Sequence, residues 1–366
     1  MKTSNHGGNR THIYEGQGAM TTSDRLIALL EGKPLDRVPF FSFTLGFCAR
    51  NVGYPISSIY NDPEKSMLAQ IYTRNQYEYD SYPFYGYASY GGWEFGGEIK
   101  LPEREYEQAP SHGRFAVVAE PDVEKLSLPD VKKAGMLPLA MQFSRLQISH
   151  GFAPSLVVGG PFTIAGNICA VATLCRWLIK KPELVHRILR LATDHLLEVV
   201  GYWIDTFGKD RVHVQIWEPL ATNQIISPKQ FETYVLPYQI ELHEKIITMG
   251  IASILCHICG EQNANLPFWG RVPMGNAGII SIGKEIDIAK AIELFGKNYV
   301  IAGNIEPALL QTGTPEEIYE CCRQAIEKGK RAPRGFALMQ GCEVPVDTPP
   351  YNFFVMKKAV EDFGEY

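Results

Sequence analysis

Ile251-Ala-Ser-Ile-Leu-Cys256 runs straight into His257-Ile-Cys259-Gly260, and this stretch decides the fold. A short uncharged run that ends at a glycine predicts a strand covered on both faces. Such a strand belongs to a parallel sheet with helices packed over it. The strand itself is placed at 253–257. Seven more runs of the same kind follow one another along the chain, at 38–43, 79–84, 155–159, 212–216, 279–282, 299–303 and 336–341. Together they make eight, the number that closes a (β/α)8 TIM barrel.

Helix signals fill the gaps. Ser23-Asp24 caps a helix that stops at Gly32, and Asp62-Pro63-Glu64, Ser227-Pro228 and Thr314-Pro315-Glu316-Glu317 each put proline in a first turn. Residues 182–207 carry Leu184, Ile188, Leu191, Leu196, Val199 and Val200 at helical spacing, and a helix over 231–247 follows Ser227-Pro228. Residues 92–125 break the alternation. Glu98-Ile-Lys-Leu-Pro-Glu103 and Phe115-Ala-Val-Val-Ala119 predict a β-hairpin insertion there. Residues 1–20 are polar and Gly-rich, which predicts a flexible N-terminal tail before a single barrel domain at 21–366. They lack the apolar segment of a secretory signal.

The 366 residues, 45% hydrophobic and 20% charged, suffice for a large core and exclude a disordered chain. A formal charge of −5 without a basic block argues against nucleic-acid or membrane-surface partners. No apolar run reaches spanning length, so a cytoplasmic protein is expected. In a reducing compartment the eight cysteines are thiols or ligands rather than disulfides. Cys169, Cys175, Cys321 and Cys322 fall within helical patterns and read as small core hydrophobes. Cys48 has no evident partner.

Catalytic groups of a parallel barrel come from loops at the carboxyl ends of its strands. His257 and Cys259 end the fifth run, and Cys342, in Gly341-Cys-Glu-Val-Pro345, ends the eighth. One imidazole and two sulfurs suit Zn2+, and three protein ligands leave a fourth position for a reactant. The ligands meet only if the barrel closes, because Cys342 lies 83 residues beyond Cys259. Cys256 alternates to the opposite side. Glu218, after the fourth run, is a candidate catalytic residue: either a partner of the imidazole or a fourth ligand that substrate displaces. A surface carboxylate before Pro219 reads the same way. Asn304, after the seventh run, either donates to substrate or closes an Asx turn. Glu343, next to Cys342, either contacts the site or is a solvated loop carboxylate, and Gly159-Gly160-Pro161 reads as a close turn rather than a phosphate cradle. The segment 77–95 is rich in aromatic residues. Tyr82, Tyr85, Tyr90 and Trp93, with Phe43 from the first run, are candidates to wall a substrate pocket, or else to pack the insertion.

Asp36-Arg-Val-Pro39, Gly160-Pro-Phe-Thr163, Ile226-Ser-Pro-Lys-Gln-Phe231, His257-Ile-Cys-Gly260, Gly303-Asn-Ile-Glu-Pro307 and Gly341-Cys-Glu-Val-Pro345 resemble the motifs of the uroporphyrinogen decarboxylase superfamily. The zinc motif resembles its branch of zinc-dependent corrinoid methyltransferases. Two departures stand out. Thr44-Leu-Gly-Phe-Cys-Ala-Arg50 replaces the arginine-rich motif that holds porphyrinogen carboxylates, which disfavours a decarboxylase. Glu218 stands where related chains usually carry Asp. The resemblance implies methyl transfer between a small molecule and the cobalt of a corrinoid (cobalamin) carried by a partner protein. The aromatic segment favours a methoxylated aromatic as methyl donor, in an O-demethylation. Methyl transfer from the corrinoid to a thiol is the alternative, and a binding protein without turnover is the remaining one.

Overall fold

The computed structural model describes residues 20–276 and 278–366, so the tail expected at 1–20 lies almost wholly outside the described residues. Its strands are β1 (Glu98–Lys100), β2 (Ser111–Arg114), β3 (Ser155–Gly159), β4 (His213–Trp217), β5 (Ile254–Ile258), β6 (Ile279–Ile282), β7 (Val300–Ile305) and β8 (Phe336–Gln340). β3 to β8 form one parallel sheet in chain order. All residues of β3, β6 and β8 are buried, which is why these segments read as unbroken apolar runs.

The first two expected strands are not regular strands. Residues 38–43 and 79–85 are irregular staves joined to the sheet by single bridges, Phe40 to Leu338 and Tyr85 to Leu156. Between the staves, side-chain oxygens stand in for carbonyls. The Phe40 amide donates to Asp80 Oδ2 at 2.8 Å and the Ser42 amide to Ser81 Oγ at 3.0 Å. Pro39 and Pro83 have no amide to offer a ladder. The ring still closes, since Phe41 N donates to Leu338 O and Asp80 N to Phe40 O. The structure is thus a (β/α)8 barrel with two irregular staves. Arg25 clamps the seam, reaching Asp36 at 2.7 Å and the buried Asp80 at 2.6 Å.

Helices cover the outside. The first, Thr22–Glu31, is capped by Thr21 and not by Ser23: the Thr21 hydroxyl accepts from Asp24 N, and Gly32 ends the helix at φ 67°. Asp62, Ser227 and Thr314 cap their helices as expected, the last two with capping boxes completed by Gln230 and Glu317. The helix predicted over 231–247 is two helices, Pro228–Tyr234 and Leu236–Thr248, because Pro237 opens a new first turn. Pro182–Phe207 is one helix of 26 residues that buries Ile188, Ala192, Leu196, Val199 and Trp203. Side chains the size of Ile188, Leu196 and Val199 each contribute about 1.5–3 kcal/mol on burial.

The insertion is a hairpin, with β1 antiparallel to β2, but it is shorter than expected. Phe115–Ala119 lies outside the strand, and a helix Glu120–Lys125 follows. No single helix among the described residues is long and apolar enough to cross a membrane.

Candidate metal centre

The site starts from the alternation along β5. Leu255 and His257 face the barrel lumen, and Cys256 faces the helices, fully buried, where desolvation drives its thiol pKa up. Two residues past His257, the chain has left the strand and turns at Gly260, φ 76°, carrying Cys259 over the rim. β8 ends at Gln340. A side chain on Gly341 would meet Lys284 N at 2.8 Å, so the absence of one lets the Cys342 loop close against the neighbouring loop.

The three expected ligands converge. A ring nitrogen of His257, Cys259 Sγ and Cys342 Sγ all lie within 4.8 Å of one another. The two sulfurs are 4.0 Å apart. A tetrahedral ion with bonds of about 2.3 Å would hold them roughly 3.8 Å apart, so the pair needs little movement to bind one. His257 Nδ1 is hydrogen-bonded to Ser281 Oγ at 3.0 Å, while the buried Nε2 has no partner among the described residues. An orphaned imidazole nitrogen beside two free thiols fits zinc by donor type and by spacing. Hydrogen bonding to Cys259 and the adjacent His257 drive Cys342 towards thiolate, against burial, while the same bond and burial raise Cys259.

Glu218 sits elsewhere. Its Oε1 accepts from Thr163 N at 2.6 Å and from the Thr163 hydroxyl at 2.5 Å. Its Oε2 accepts from Phe162 N at 3.1 Å and Gln239 Nε2 at 2.7 Å. It caps the first turn of the helix Pro161–Cys169, where amides and dipole favour an anion. Burial nonetheless pushes its pKa up to about 7, against the pull of those four donors. The expected close turn at Gly160 serves this contact: a Cβ there would fall 2.2 Å from Glu218 Oε2. The partner of the imidazole is Ser281, not Glu218.

Asn304 Nδ2 donates to Ile286 O at 2.6 Å, tying two rim loops together. Glu343 is half-buried rather than solvated. It accepts from Gly46 N at 3.2 Å, and burial pushes it up to about 8. Cys48 donates to Thr44 O at 3.2 Å.

The aromatic candidates divide. Phe43 and Tyr82 line a chamber inside the barrel that reaches His257. Phe43 packs edge-on to His257, with centroids 5.8 Å apart, and against Trp217 at 4.5 Å. Tyr85, Tyr90 and Trp93 do not line it. The Tyr85 hydroxyl donates to Tyr60 O at 2.5 Å, and the Tyr90 hydroxyl is bonded to His195 Nε2 at 2.8 Å on the long helix. Trp93 packs on the core. The second half of the segment therefore plugs the insertion against the helices.

Two residues near the centre gave no sequence signal. Ser281 and Trp217 flank His257 through strand register, with Trp217 paired to His257 and His257 to Ser281. A Cβ on Gly283 would meet Glu285 Oε2 at 2.9 Å and Cys259 Cα at 3.1 Å, so the Glu285 carboxylate lies close to the Cys259 backbone. Only the sequence position of Glu285, just past the sixth strand, hinted at it.

A family model described as uroporphyrinogen decarboxylase (URO-D) matches residues 21–363. A methylcobamide:CoM methyltransferase MtbA from Methanosarcina acetivorans is 26% identical over 353 residues, which are 94% of this chain and 98% of that protein. A methylcobamide:CoM methyltransferase MtaA from Methanosarcina barkeri is 25% identical over 360 residues, with the same shares covered. A uroporphyrinogen decarboxylase from Trichodesmium erythraeum is 27% identical over 229 residues, 60% of this chain and 61% of that one. Among solved structures, a methyltransferase from Methanosarcina mazei superposes with a TM-score of 0.79 at 22% identity, covering 94% of this chain and 99% of its own.

Proposed function

The chain belongs to the uroporphyrinogen decarboxylase family, and we propose that it is a zinc-dependent methyltransferase of a corrinoid system, moving a methyl group from the cobalt of a partner-carried corrinoid to a thiol. The observation that carries this is the His257, Cys259 and Cys342 cluster, set in a chain that matches methylcobamide:CoM methyltransferases almost end to end. The aryl-ether direction loses its support, because Tyr85, Tyr90 and Trp93 turn into the core. A decarboxylase is disfavoured as well: Arg50, in the segment that replaces the arginine motif, is committed to Asp347 at 3.0 Å.

A zinc ion held by His257, Cys259 and Cys342 supplies a Lewis acid that lowers a thiol's pKa and keeps the sulfur nucleophilic. Ser281 fixes the imidazole so that Nε2 is left for the ion. The thiol gives its proton to solvent, and its sulfur attacks the methyl carbon in line. A carbon–sulfur bond forms, the cobalt–carbon bond breaks, and the electron pair stays on cobalt, which passes from Co(III) to Co(I). A cytoplasmic setting suits this chemistry, because a reducing compartment keeps both sulfurs free to bind.

Purified protein is expected to carry about one zinc per chain, and Cys259→Ser and Cys342→Ser to lose it. Methylated corrinoid protein with a panel of thiols should lose its methyl–cobalt absorbance. Reduced corrinoid protein with methoxybenzenes should gain none. Methyl–cobalt formed from an ether, with no thiol accepting methyl, would reverse the assignment.

A further inference from the structure

A chamber of about 90 Å³ runs down the barrel lumen beside His257, walled by Phe43, Trp217, Leu255, Ile279 and Met339. Barrels of this kind usually fill the lumen with layers of bulky branched side chains. Here small residues leave it open. Ser155, Ser253 and Ser281 line the chamber, and Ala302 and Ala337 stand in register with Ser281. A water-sized group needs about 10–15 Å³ on this measure, so the chamber admits a body of about six heavy atoms.

The charge of the lining is as informative as its size. Among the described residues, no lysine or arginine lines the chamber. His213 lines its lower part, and burial lowers its pKa, so it stays neutral. At the rim, Lys284 is bound by Glu306, and Arg50 by Asp347 and the Glu105 carbonyl. An anion placed in such a lumen gives up its hydration without a counter-charge, which costs far more than burying a neutral group.

The direction of approach decides where the acceptor's body goes. In-line transfer requires the acceptor sulfur to face the cobalt, and the corrinoid protein can reach it only from the barrel mouth. The rest of the acceptor can then extend away from the mouth, and on that side His257 and Ser281 line the chamber, while Cys259 and Cys342 do not. We infer that the lumen chamber is the acceptor-binding subsite and that it selects small, uncharged thiols over thiols bearing a sulfonate or carboxylate. The inference rests on the thiol-methylation reading above and narrows its substrate class.

The test uses the zinc-loaded full-length protein with free methylcobalamin as methyl donor. The acceptors are 1-propanethiol and 2-mercaptoethanol against 2-mercaptoethanesulfonate and 3-mercaptopropionate. Binding is read by calorimetry and turnover by loss of methyl–cobalt absorbance. The uncharged thiols should bind at least tenfold more tightly and show a correspondingly higher kcat/KM. Leu255→Phe, which narrows the chamber, should weaken 1-propanethiol at least tenfold while zinc content stays at one per chain. Ile279→Phe on the adjacent strand serves if the first variant misfolds.

Equal or tighter binding of the anionic thiols, or unchanged propanethiol affinity in a folded, zinc-loaded narrowed variant, overturns the inference. The outcomes separate cleanly. Thiols methylated with an anionic preference remove the chamber and leave methyl transfer standing. Uncharged thiols that bind through the chamber but are never methylated do the reverse.

Discussion

Glu218→Gln separates a carboxylate that holds the fold from one that serves the metal. The glutamine keeps a carbonyl for the Thr163 amide and hydroxyl, but it turns an NH2 towards Phe162 N and Gln239 Nε2. Gln239 can relieve its half by rotating its unpartnered Oε1 inward. Phe162 N cannot, so one buried donor is left facing another, a loss of about 1–3 kcal/mol. At about 2.1 cal/mol/K per residue, a loss near 2 kcal/mol lowers Tm by roughly 3 °C.

The pH dependence supplies the sharper signature. The folded-state pKa of Glu218 is raised to about 7 from an ordinary 4.5. Between those values the folded state binds more protons than the unfolded one, so this group's stabilisation is complete below the unfolded value and lost as pH rises through about 7. The loss is at most about 3 kcal/mol, at 1.36 kcal/mol per pH unit. Glutamine does not titrate. The deficit of the variant should therefore be largest near pH 5 and shrink towards pH 8. Thermal denaturation followed by circular dichroism at both pH values, with zinc content measured in parallel, decides the matter. A deficit that grows with pH, or a variant that no longer holds zinc, would refute the capping role and return Glu218 to the metal.

Ser281→Ala removes the hydroxyl that orients His257 and should weaken zinc binding about 10–100-fold, measured by competition with a chromogenic chelator. Unchanged affinity would mean that packing against Phe43 and Trp217 alone fixes the ring. Tyr90→Phe strands His195 Nε2 in the core and should cost about 1–3 kcal/mol with kcat/KM for any thiol unchanged; an altered KM would place Tyr90 at the substrate.

What was legible in the chain was local. The period of two along β5 sends His257 inward and Cys256 outward, and a glycine beside each ligand segment, Gly260 after Cys259 and Gly341 before Cys342, marks where strand becomes loop. Eight apolar runs separated by helix signals imply the barrel, even though two staves are irregular. That irregularity was hidden because it depends on the Asp80 and Ser81 side chains reaching amides some 40 residues away.

The sidedness of everything at the rim came from closure. Whether Tyr90 faces substrate or core depends on His195, 105 residues further on. Glu218 is drawn to the helix at 161–169 because β3 and β4 pair and set Gly160 N on Trp217 O. The chamber exists because small residues from several strands share one level, which no single segment reveals. Side-chain alternation and turn chemistry act between chain neighbours, so the sequence determined which residues carry donor atoms and which way each strand presents them. Strand register and ring closure act over separations such as the 83 residues from Cys259 to Cys342. They alone decided which donors meet, and which aromatic and acidic residues are taken up by packing instead.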